Sequence, residues 1–249
     1  MILKSISIDC VIFGFDGNSL KVLLSQQNPD AVLKQIREEN NFDEIKQLYE
    51  NHPSLTNPNC WNVFGAHIPE EADLEQFARE LVAMATGMDA VFLKQFHCFG
   101  EVNRVPNNRV LTIGYYALIN PAHHLIKKSI LLNDLKWFKL NSLPTLSFDH
   151  GKIILKALEH LRQEVRYQPI GFHLLPEKFT LTEFQTLYEV ILDKKMDTRN
   201  FRKKIAHMKL VIDTGEKQQH VSHRAAKLYR FDKQIYNQLK KEGLKFRIE

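Results

Sequence analysis

The sequence predicts an α+β protein in two parts: a mixed α/β body, then a small basic module of helices closed by a hairpin. Three observations carry this. Strand-like alternating segments and helix-period segments mix through the first two thirds of the 249 residues. Proline and glycine punctuate the chain at Tyr167-Gln168-Pro169-Ile170-Gly171. Charge also divides there: residues 171–249 hold 17 Lys+Arg against 10 Asp+Glu, a net +7, whereas the rest holds 17 against 19, a net −2. The expected domains are therefore residues 1–168 and 169–249.

In the body, ISIDCVIFG and SLKVLLS flank Phe15-Asp16-Gly17-Asn18, a hairpin signal between alternating strands. The segment DAVLKQIREENNFDEIKQLYENHP has helical spacing through Val32, Ile36, Ile45, Leu48 and Tyr49, interrupted at Asn40-Asn41, and reads as a helical insertion over about residues 29–52. VFLKQFHCFG, RVLTIGYYALIN and LKWFKL read as strands, and HGKIILKALEHLRQE as a helix. No apolar run approaches the ~20 residues that span a bilayer. The first residues alternate and include Asp9, which suits a strand better than a signal peptide. Cys10, Cys60 and Cys98 are too scattered for a disulfide framework, so buried inert thiols in a reducing cytoplasm are expected.

The basic module opens on Thr180-Leu181-Thr182-Glu183, a capping-box pattern. Phe184, Leu187, Tyr188 and Ile191 then recur at i, i+3, i+4, i+7 of an amphipathic helix. After a break at Asp193-Lys194-Lys195-Met196, Asp197 or Thr198 caps a second helix. Its Phe201, Ile205 and Met208 share one face and Arg199, Lys203 and His207 the opposite one, with Asn200, Arg202 and Lys204 flanking. Two strands follow, Leu210-Val211-Ile212-Asp213 and Lys227-Leu228-Tyr229-Arg230-Phe231, around a loop with Lys217, His220, His223 and Arg224. Helix, turn, helix and basic hairpin make a winged helix-turn-helix. An apolar back docks such a helix on its neighbour, while arginine and asparagine read base edges and lysines neutralise phosphates. Double-stranded operator DNA is the expected partner of Arg199, Asn200, Arg202, Lys203, Lys204, His207, Lys217 and Arg224. The hairpin histidines lack convergent partners in the sequence, and no metal or other cofactor is expected.

Residues 61–88 resemble the Nudix hydrolase box, Gly-x5-Glu-x7-Arg-Glu-U-x-Glu-Glu-x-Gly-U with U aliphatic, whose helical acids hold divalent cations. Starting at Gly65, the box matches Glu71, Arg79, Glu80 and Leu81 but puts Ala83 and Met84 at the metal-binding pair and leaves Gly87 one residue late. The preferred register runs without gaps from Trp61-Asn62-Val63-Phe64-Gly65-Ala66 to Thr86-Gly87-Met88, with Ala66, Ala72, Glu80, Leu81, Met84 and Ala85 in the box positions. In either register Leu74, Phe77, Ala78, Leu81 and Met84 or Ala85 face inward, and the Glu-Glu pair is absent. A hard cation then lacks its oxygens, so no catalytic residue is expected.

A degenerate box ahead of a basic winged helix is similar to the Nudix-related transcriptional regulators of NrtR and AraR type. FHCFGEVNRVPNNRVLTIGYYALIN, SLPTLSFDH, PIGFHLLPEKFTL, MDTRNFRKKI and AAKLYRF extend the likeness over nearly the whole chain. The resemblance implies a Nudix-like mixed-sheet α/β/α sandwich that senses an effector and dimerises, then a winged helix that binds operators. The wording sits nearest the sugar-responsive branch, which implies a regulator of sugar catabolism answering to a sugar or nucleotide-sugar derivative. Ser25-Gln26-Gln27, Arg104-Val105-Pro106 and the insertion depart from the family pattern near the expected pocket. Arg104, Arg109 and Tyr115 are the candidate effector residues. The alternative is a Nudix-type hydrolase of nucleoside diphosphate derivatives with a basic appendage, its metal drawn from Glu70, Glu71, Glu75 and Glu80.

Overall fold

A computed structural model describes residues 5–28, 59–88, 91–106, 108–123, 132–219, 222, 224–243 and 246–248. The expected helical insertion at about 29–52 lies outside the described residues. The chain packs as two compact units, one of residues 1–14, 21–119 and 123–158, the other of 15–20, 120–122 and 159–249.

The first unit is built on a mixed sheet in the order β4-β5-β1-β2-β6, with β3 pairing β1. Its strands are β1 (Ile6–Phe15), β2 (Leu20–Gln27), β3 (Phe64–His67), β4 (Phe92–Phe99), β5 (Leu111–Ile119) and β6 (Leu132–Lys139). The apolar run of β1 is buried along nearly its whole length, as a strand sheathed on both faces must be. It pairs with β5 in parallel from Ile6↔Leu111 to Gly14↔Ile119, and antiparallel with β3 from Ser7↔His67 to Cys10↔Phe64. Alternation sends Ile8, Cys10 and Ile12 to one face, where they join Ile113, Tyr115 and Ala117 beneath α1 (Leu74–Thr86). Ser7, Asp9 and Thr112 take the other face, where Ser7 and Thr112 share a 2.7 Å hydroxyl hydrogen bond.

Helix α1 is regular to its end, where Gly87 takes φ 72° and its N–H donates to Ala83 O. A left-handed residue at this position is what glycine permits, and it places Gly87 where the gap-free register requires it. Ala78, Leu81, Val82 and Ala85 are buried. The inward residue of the expected pair is thus Ala85, and Met84 is 61% exposed. Leu74, expected inward, is 38% exposed in the first turn. Cys10 and Cys60 are buried, and burial pushes the Cys10 thiol far up; Cys98, also expected to be buried, is exposed on β4, the edge strand of the sheet.

Helix α2 (His150–Glu164) matches its predicted span. The second unit takes its last residues, then a 3-10 turn at Pro169–Leu174, α3 (Leu181–Leu192), α4 (Thr198–Met208), the hairpin β7 (Val211–Lys217) and β8 (Lys227–Phe231), and α5 (Lys233–Lys241). The division inside α2 falls earlier than the composition shift near residue 170. The end of the helix packs inward through Leu161 and Val165, and Arg162 donates from Nε to the Ile191 carbonyl at 2.7 Å. Helix α5 was not among the sequence expectations, although Asp232 Oδ1 accepts from Gln234 N and Ile235 N at its start and Gly243 stands just beyond its end.

Candidate nucleic-acid interface

The helix-turn-helix forms by local rules. Thr180 Oγ1 accepts from Glu183 N at 3.1 Å while Glu183 Oε2 accepts from Thr180 N at 2.7 Å, closing the predicted capping box. Phe184, Leu187, Tyr188 and Ile191 turn inward. Asp197 caps α4, its Oδ1 accepting from Asn200 N at 2.8 Å. The two helices meet edge-on through Phe184 and Phe201, ring centroids 5.3 Å apart. Phe172 stacks on Phe231 at 4.1 Å and tilts against Phe179 and Phe184, so one aromatic cluster joins the 3-10 turn, α3, α4 and the wing. Phe179 and Tyr229 exchange backbone hydrogen bonds of 2.9 and 2.8 Å, which add a third extended segment beside β8.

Phe201, Ile205 and Met208 are buried, and Arg199, Asn200, Arg202, Lys203 and His207 are exposed, with Lys204 half-buried. Among the described residues Arg199, Arg202, Lys203 and Lys204 on α4 carry no ion pair. On the wing the opposite holds: Lys178 meets Glu216 at 2.7 Å and Lys227 meets Asp213 at 2.7 Å. Both wing acids are thereby neutralised, while Lys217 and Arg224 stand exposed. Expected His220 and His223 lie outside the described residues.

Sequence reasoning missed what holds the turn between the helices. Gln185 Nε2 donates to Met196 O at 3.0 Å, Thr198 Oγ1 at 3.2 Å and Glu189 Oε1 at 2.9 Å, and Glu189 Oε1 accepts from Met196 N at 3.0 Å. Burial works to raise the Glu189 carboxyl, but hydrogen bonds from Lys195, Gln185 and Met196 outweigh it and pull it to about 2. The one sequence signal was Gln185 and Glu189 spaced i, i+4 on the polar side of α3.

The three candidate effector residues do not converge. The Arg104 side chain is 3% exposed; it donates to Asp149 at 2.9 and 2.8 Å in a bidentate fork and to Thr112 Oγ1, and it lies 5.8 Å from the Phe99 ring centroid. Asp9 shares this pocket of charge. Burial, partly countered by Arg104 and reinforced by Asp149, raises its carboxyl to about 7. Next in sequence to Asp149, His150 is held down at about 4 by burial. Tyr115 faces the other side of the sheet, buried under α1 with its hydroxyl 3.4 Å from Gln95 Oε1. Arg109 is exposed and donates to the Gly100 and Glu101 carbonyls at 2.7 and 3.1 Å. On α1, Glu75 pairs with Arg79 and Glu80 accepts from Gln76. Among the described residues no group of three or more His, Cys, Asp or Glu side chains is placed to hold a metal ion.

Residues 171–231 match the family of the NrtR DNA-binding winged helix domain. The chain is 28% identical over 236 residues to the ADPR responsive transcriptional repressor NtrR of Acinetobacter baylyi, covering 93% of this chain and 83% of that protein. It is similar to Shewanella oneidensis NrtR in complex with a 27mer DNA, with a TM-score of 0.72, 28% identity, and 93% and 95% of the two chains covered. A MutT/nudix family protein from Enterococcus faecalis shares the fold at a TM-score of 0.65 and 20% identity, over 93% of this chain and 88% of its own. The chain therefore carries an NrtR-type winged helix domain behind a Nudix-like N-terminal domain, the architecture of the Nudix-related transcriptional regulators.

Proposed function

We propose that the protein is an ADP-ribose-responsive transcriptional repressor that binds operator DNA through α4 and the wing. The carrying observation is the front of α4, where Arg199, Arg202 and Lys203 are exposed and Lys204 half-buried, without carboxylate partners among the described residues, on a helix locked from behind by aromatic packing. Unpaired lysine and arginine on a fixed helix release counterions from a duplex without first losing an internal partner. Acting as a homodimer in the cytoplasm, it reads two half-sites about one helical turn, or a multiple, apart.

The similarity to an ADPR responsive repressor supports ADP-ribose as the effector over the sugar of the catabolic branch. The effector acts by preferring a dimer whose recognition helices have the wrong spacing for DNA. Of the expected contacts, Tyr115 has a hydroxyl beside exposed Gln95 on the α1 side of the sheet, and Arg109 is exposed; Arg104 serves the fold instead. Catalysis is lost because Met84, exposed on α1 where the gap-free register expects a glutamate, offers a cation no oxygen.

The test uses duplexes selected from a random library by the full-length protein, with binding followed by fluorescence anisotropy. Tight, salt-sensitive binding weakened by ADP-ribose and unaffected by a free pentose is expected; release by the pentose alone would return the effector to the sugar branch. Arg199→Ala is expected to cost about 1–3 kcal/mol and to relax one base preference. Phosphate release from ADP-ribose with Mg²⁺ or Mn²⁺, abolished by Glu80→Gln, would restore the hydrolase alternative.

A further inference from the structure

We infer that Lys209, at the junction between α4 and the wing, is a further phosphate contact, one that rests on the DNA-binding function proposed above. Lys209 ends α4 in the left-handed conformation, φ 54° and ψ 24°, with its N–H donating to Ala206 O at 3.3 Å. Glycine adopts that conformation freely and a residue with a side chain adopts it at a cost. Gly87 closes α1 at φ 72° and Gly243 stands at φ 90° just beyond α5, whereas α3 ends on Asp193 at φ 53°.

The backbone around Lys209 leaves little freedom. Met208 and Leu210 are 6% and 2% exposed, and the Leu210 carbonyl accepts from Asp232 N at 3.1 Å. With both neighbours held inward, the Lys209 side chain is directed to solvent, where it is exposed and has no ion-pair partner among the described residues. Two forces favour a cation here. One is the partial negative charge at the helix C-terminus, which stabilises the fold whether or not DNA is present. The other is a phosphate. A helix in the major groove and a wing over the neighbouring minor groove straddle one phosphodiester strand, and the residue joining them faces that strand. The second force accounts for the choice of a cation here, in line with Arg202, whereas α3 ends in the same conformation on an anion, Asp193.

Lys209→Gly separates the two. It relieves the backbone strain and removes the charge, so the thermal midpoint of the full-length protein stays level or rises. Affinity for a mixed-sequence 30-base-pair duplex falls several-fold, and the slope of log K against log salt shrinks by about 0.9, one phosphate. Lys209→Arg keeps both affinity and slope. A folded Lys209→Gly protein with the wild-type slope overturns the assignment while leaving the DNA-binding function intact. Wild-type protein with no salt-dependent binding to that duplex or to a library-selected one overturns both.

Discussion

Arg104→Met removes a buried cation that sits beside two carboxylates, those of Asp9 and Asp149. The Arg104 and Asp149 side chains are 3% and 9% exposed, and their two hydrogen bonds of 2.8 and 2.9 Å form a bidentate pair. Methionine fills much of the same volume, so the change is mainly electrical. Breaking a buried pair on one side costs about 3–5 kcal/mol, because the remaining charge has lost both water and partner. Asp9 escapes by keeping its proton, its carboxyl already lifted to about 7, which leaves the penalty on Asp149. For a protein of this size 1 kcal/mol moves the melting temperature by roughly 2–4 °C, so the midpoint of the first unit should drop by ~10 °C. Differential scanning fluorimetry near pH 7.5 reads it. Arg104→Met combined with Asp149→Leu should recover most of the loss, since replacing both partners by apolar groups is close to neutral. A single mutant that melts within about 2 °C of wild type but no longer responds to ADP-ribose would refute this reasoning and make Arg104 an effector ligand after all.

Three further outcomes follow from the same geometry. Gly65→Ala should destabilise the first unit by at least about 1–3 kcal/mol in urea unfolding, because the new Cβ would stand 2.0 Å from Asp9 Oδ1 and 2.8 Å from the Ile8 carbonyl, which belongs to the sheet backbone. Asp9 keeps its proton in the folded state up to about 7 but loses it near 3.8 when unfolded, so it makes stability fall as pH rises across that window, whereas His150, neutral in the fold above about 4 and titrating near 6.5 when unfolded, makes stability rise. Asp9→Asn should therefore leave stability climbing from about pH 4 to 6.5 in denaturation series where wild type is flatter, and an unchanged profile would remove Asp9 from that role. Tyr188→Phe should leave the melting temperature level or higher, since the Tyr188 hydroxyl is fully buried without a hydrogen-bond partner among the described residues; a marked drop would reveal a partner.

The sequence by itself determined what depends on neighbours a few residues apart. The capping box at Thr180, the cationic and apolar faces of α4, and the 150–164 span of α2 all follow from helical period and local hydrogen bonding. Equally plain were Met84 and Ala85, which stand where the gap-free register of the Nudix box has its glutamate pair, because they are read directly from the chain. Tertiary structure decided what depends on residues brought together from afar. Arg104, expected among the effector residues, is a buried partner of Asp149, 45 positions away, because the segment between β4 and β5 comes against the residue that precedes α2. Parity along β5 sent Tyr115 to the opposite face, where α1 covers it. The choice between Met84 and Ala85 was settled by which side of α1 the sheet occupies, a direction that a helical wheel draws but cannot orient.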